Sequence, residues 1–123
     1  MKRNNRDFRN SQITQSGLIY LYRAVGADEF SSIIRTKRFS VLEHGLHVKH
    51  FGLNFDETLE FANKDFNVDV VAIFEIEVYY NVLITFADFT HVDPYIFISG
   101  TVEISEDNLE MFNNSILKIT HKS

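Results

Sequence analysis

Between residues 70 and 78 the side chains alternate. Val70, Ala72, Phe74, Ile76 and Val78 share one face, while Glu75 and Glu77 fall on the other. A strand projects successive side chains to opposite faces. This segment therefore lays one side on a core and turns the later part of its other side to water, a pattern that suits an antiparallel sheet.

The rest of the chain reads around that strand. Residues 18–25 are short, apolar and aromatic-rich, which predicts a second strand, and Gly26 breaks it. Asp28 and Glu29 then sit where a helix dipole favours acids, Phe30, Ile33 and Ile34 form one apolar face, and Lys37-Arg38 close the helix. Residues 41–53 predict a loop around Gly45 followed by a strand. Asn54 reads as an N-cap and Glu57 completes a capping box, opening a helix that carries Phe55, Leu59 and Ala62 and ends near Lys64.

Periodicity leaves residues 79–89 open between a strand and a buried helical turn. Residues 95–104 alternate, with Ile96, Ile98, Val102 and Ile104 opposite Tyr95, Phe97, Ser99, Thr101 and Glu103, and predict a strand. Ser105 is expected to cap a short helix bearing Leu109 and Phe112, and residues 116–120 form a last strand. Two early helices, one short late helix and late-clustering strands predict a single α+β domain. Its sheet is mostly antiparallel, either one sheet or two small packed ones.

At 123 residues the chain suits one domain with a real core. Its 45% hydrophobic and 24% charged content is globular, and 12 Phe residues supply large rings for packing. Without cysteine there is no disulfide, thiolate or cysteine-ligated metal, which fits a reducing compartment. The uncharged stretch 78–87 is too short to span a bilayer, and no apolar signal follows the basic start. A soluble, cytoplasmic domain is expected. In residues 1–16, four basic residues (Lys2, Arg3, Arg6, Arg9) face Asp7, a net of +3 that leaves −8 of the total −5 to the remainder. The expected organisation is a basic polar arm over 1–16 and one domain over 17–123, whose acidic body disfavours nucleic acid.

His44, His47 and His50 are spaced by three, but on a strand that spacing sends them to opposite faces, so a solvated loop is expected rather than a metal centre. Two histidines acting as acid and base, with Lys49 or Arg23 holding a phosphate, would make a ribonuclease-like toxin. No glycine-rich phosphate loop or nucleophile elbow occurs. Arg23, inside Tyr20-Leu21-Tyr22-Arg23-Ala24-Val25, is a costly charge in an apolar strand, and its fork suits a diphosphate or carboxylate. Glu103 ends the polar face of its strand and offers charge to a developing cation; Glu75 and Glu77 are weaker candidates.

The order of these pieces resembles small bacterial ADP-ribosyltransferase-like domains, many of them toxin modules. The resemblance spans roughly residues 18–112 and is carried by Leu21-Tyr22-Arg23-Ala24-Val25, a helix with Glu29, then Lys49-His50-Phe51-Gly52-Leu53-Asn54, and a helix with Glu57 and Ala62. It implies NAD as the bound substrate, with Tyr22 and Arg23 at its binding site and Arg23 on the diphosphate or the nicotinamide ribose phosphate. It also implies Phe51 stacked on nicotinamide and Gly52 permitting close approach. Glu103 would be the catalytic glutamate that stabilises the ribose cation, two residues beyond the family's position at Thr101. The implied partners are a protein or other macromolecular acceptor and a cognate immunity protein, and a toxin module would act after delivery into a target-cell cytoplasm. An acidic, non-catalytic binding module of the immunity or inhibitor kind is the other reading, steered by charge to a basic partner.

Overall fold

A computed structural model describes residues 12–40 and 47–123. Most of the expected arm, and the loop carrying His44 and Gly45, lie outside the described residues. The chain forms an α+β domain built on one six-stranded sheet, with every neighbouring pair antiparallel. Its strands are β1 (Leu18–Val25), β2 (Val48–Gly52), β3 (Ala72–Tyr79), β4 (Asp88–Thr90), β5 (Thr101–Ser105) and β6 (Lys118–His121), in spatial order β4-β5-β2-β1-β3-β6. The helices are α1 (Ala27–Thr36), α2 (Phe55–Ala62), a single turn α3 (Tyr80–Leu83) and α4 (Leu109–Ser115). Among the described residues, no helix is long and apolar enough to cross a membrane.

One face of the sheet carries the main core. Ile19, Leu21 and Val25 of β1 alternate with Phe51 of β2, Phe74, Ile76 and Val78 of β3, and Val102 and Ile104 of β5. Ile33 of α1, Phe39, Leu83, Leu109 and Phe112 cover them. Rings dominate the contacts: Phe51 lies 5.1 Å from Phe112 and 5.5 Å from Phe39, and Phe30 stacks on Phe74 at 5.7 Å. The opposite face is covered by α2 and the connection from β4 to β5, where Thr58 and Phe97 approach Gly52.

Several local expectations are corrected. Ile34 is 44% exposed, so α1 buries only Ile33 and half-buries Phe30. Asn54 does cap α2, accepting the Glu57 N–H at 3.0 Å, but the Glu57 carboxylate leaves the box and bonds Ser99 instead. Residues 79–89 are both things at once, the turn α3 and then the strand β4. The strand expected over 95–104 exists only from Thr101. Asp93 adopts a left-handed backbone (φ 46°), Pro94 follows, and Gly100 at φ 92° turns the chain into β5. Ser105 makes no capping bond and leads into a 3-10 turn before α4.

Candidate functional site

The sheet is not uniformly knit. β1 and β3 pair along their whole length, from Leu18–Tyr79 to Val25–Ala72, and β2 and β5 pair along five positions. β1 and β2 meet at one register pair, Tyr22 with Gly52. Beyond it the strands part, and the His50 carbonyl takes its hydrogen bond from the Arg23 Nη1 at 2.9 Å.

Alternation places Arg23 on the core side of β1, with Ile19, Leu21 and Val25. Its guanidinium is held by both oxygens of Glu29, from the first turn of α1, at 2.7 and 3.0 Å. It also stands 5.8 Å from the centre of the Phe51 ring. Lys49 reaches the same carboxylate at 3.4 Å while only 6% exposed. Two cations thus share one anion in a largely buried setting, where a bidentate arginine pair is strong and charge is poorly screened. Burial alone would raise the Glu29 carboxyl, but the Arg23 hydrogen bond and charge, with Lys49 behind them, hold it below its ordinary value. Burial, and then the Arg23 charge, pull Lys49 below its ordinary value against the opposing pull of Glu29.

A cleft of about 370 Å³ lies along the opening, bordered by residues 22–24 of β1 and 50–52 of β2. Its polar wall is made by His50, Thr58, Asn67, Asp93 and Thr101, and its apolar wall by Phe61, Val70, Val92 and Phe97. The Phe61 and Phe97 rings lie 5.2 Å apart. Thr101 is buried and bonds Thr90 Oγ1 at 2.8 Å and the Val92 N–H at 3.1 Å, tying the β4–β5 connection to the sheet. The Glu57 carboxylate fixes the same connection by accepting from the Ser99 N–H at 3.0 Å and its hydroxyl at 2.6 Å. His91 adds a bond to the Phe97 carbonyl at 3.1 Å.

The residues singled out from the sequence are divided by this geometry. Tyr22, Arg23, Phe51 and Gly52 all border the cleft. The Phe51 ring, however, is 1% exposed and packed among Phe39 and Phe112, so it offers no free face for stacking. Gly52 does permit a close approach, but by the protein itself: a Cβ there would stand 2.5 Å from Thr58 Oγ1 and 3.0 Å from Phe97. The Tyr22 hydroxyl donates to Glu75 at 2.9 Å, and burial first, then that bond, push its pKa well above the ordinary value.

Glu103 shares the strand face of Thr101 but does not line the cleft. It pairs across the strands with His50, at 3.6 Å. Glu75 and Glu77 accept from Tyr22 and Tyr20 and lie on β3, away from the cleft. The histidines go separate ways, His47 to Glu106, His50 to Glu103, and His91 and His121 to backbone carbonyls. Sequence reasoning missed Thr58, Asn67, Asp93 and Phe97. The Asp93-Pro94 pair was the available signal, since it marks a turn rather than a strand. No protein-family model, curated protein or solved structure matches the chain.

Proposed function

We propose that the chain is an ADP-ribosyltransferase-like domain that binds NAD in this cleft and passes ADP-ribose to a macromolecule or to water. One observation carries the reading: the sheet opens between β1 and β2 beside an arginine, and a cleft with aromatic and polar walls follows the opening. Arg23 points to the core face but borders the cleft at the opening. Among the described residues three of its five N–H donors are engaged with Glu29 and His50; an anionic group there would take the other two. The extra positive charge of the Arg23–Glu29–Lys49 group favours a diphosphate near it. The stacking role passes from Phe51 to Phe61, whose half-buried ring lines the cleft beside Phe97.

In the reaction the bond between ribose C1′ and the nicotinamide nitrogen breaks, and its electron pair leaves with nicotinamide. A nucleophilic oxygen or nitrogen of the acceptor, or of water, bonds to C1′ and releases its proton. Glu103 lies outside the cleft lining, 3.6 Å from the cleft residue His50, and from there would supply negative charge to the ribose cation, a stabilisation that matters only as charge develops. Nicotinamide release from NAD is the test. The intact chain should release it, and Glu103→Gln should slow release by about a hundredfold, the scale of losing one electrostatic contact in a transition state. Release no faster than from NAD alone, with and without added acceptor protein, contradicts the transfer chemistry.

A further inference from the structure

The two segments that wall the cleft carry apolar side chains that the fold itself does not bury. Half of the large apolar side chains exposed among the described residues lie on two segments, 65–71 and 91–100: Phe66, Val68, Val71, Val92, Tyr95 and Ile98. Tyr95 is 95% exposed and Phe66 70%. Singly scattered apolar groups are ordinary on a protein surface, but a concentration around one opening marks an interaction site. Both segments wall the same cleft, the first through Asn67 and Val70, the second through Asp93 and Phe97. A run of rings joins them: Phe66 lies 6.1 Å from Phe61, which lies 5.2 Å from Phe97.

Charge says what fits there. Asp65, Asp69 and Asp93 stand exposed on these segments and have no ion-pair partner among the described residues. The nearby Lys64 ammonium is paired with Glu60, at 4.0 Å. The second segment is also held in place, by the Glu57 bonds to Ser99 and by His91, so its apolar groups are presented without a large ordering cost.

We infer that this acidic, apolar collar docks a protein segment in which a lysine or arginine adjoins a large apolar residue. The basic side chain pairs with Asp93 at the cleft wall, and the adjoining apolar residue lies on the exposed side chains of the same segment, Val92 and Tyr95. An anionic lipid surface or a nucleic acid would meet three acids there that have no ion-pair partner among the described residues. The inference does not rest on the nucleotide reading, although a docked basic segment would also stand where an acceptor must.

The test is an NMR titration of the full-length chain, with no NAD present, using the acetylated and amidated peptide Phe-Arg-Leu-Arg-Phe. Its counterpart with glutamate in place of arginine serves as the control. The arginine peptide should shift resonances of residues 65–71 and 91–98. Binding should weaken about tenfold in Asp93→Asn, and again on raising salt, as rim charge pairs do. Asparagine tolerates the left-handed backbone at this position, so the fold is retained, and the exposed Tyr95→Ser serves as a second variant that should also weaken binding. Equal shifts from the glutamate peptide, or none with millimolar arginine peptide, would overturn the inference. So would anionic vesicles perturbing the collar when the peptide does not. Because NAD is absent throughout, failure here leaves the nucleotide reading standing, and failure of that reading leaves this one.

Discussion

Truncating Arg23 to alanine would strand the Glu29 carboxylate, 12% exposed, with Lys49 as its remaining cation. Breaking a buried pair from one side costs about 3 kcal/mol, because the orphaned charge loses more than the pair contributed. Arg23→Ala should therefore lower the urea midpoint by that equivalent. Acid should act on the same group. The folded Glu29 carboxyl titrates below its unfolded value, so as pH falls the unfolded chain takes up the proton first. The stability it contributes is complete above the unfolded value, about 4.5, and is lost as pH drops through the folded one. Urea midpoints from about pH 5 to pH 3 should fall less steeply in Glu29→Gln than in the unaltered chain. Gly52 gives a steric test. Gly52→Ala drives a Cβ into Thr58 Oγ1 at 2.5 Å and should cost about 2 kcal/mol. Thr58→Ala in the same chain should recover part of that loss, a coupling visible in a double-mutant cycle.

The connection from β4 to β5 illustrates what elements the sequence reveals and what it hides. Its hold on α2 depends on the Glu57 carboxylate, so Glu57→Gln should speed amide exchange over residues 91–100 while leaving the exchange of β1 and β3 unchanged. β3 was legible because its apolar positions repeat every second residue, and β1 because it is a short apolar, aromatic-rich run closed by Gly26. α2 was legible from Asn54, since a cap is a local device. Tyr95, Phe97 and Ser99 also alternate, but that pattern records a turn-rich segment that buries Phe97 and leaves Tyr95 in solvent. Misreading it removed Asp93 and Phe97 from the expected site. The Arg23–Glu29 bond lay closer to view, six residues apart across a strand-to-helix turn, but its partner Lys49 arrives through sheet pairing that no local pattern encodes.

At the scale of the whole molecule, the sheet consists of two well-paired halves, β4-β5-β2 and β1-β3-β6, joined across a single register pair. The cleft follows from that join, because both strands bordering the opening contribute to its floor while α2 and the 91–100 connection raise its walls. The most direct measurement is a titration of the isotope-labelled chain with NAD, followed residue by residue. The account predicts shifts confined to the cleft, at His50, Thr58, Asn67, Phe97 and Thr101, and their weakening in His50→Ala. Resonances that stay unmoved at millimolar NAD, or shifts that fall only on the far side of the sheet around Phe74 and Ile119, would contradict it.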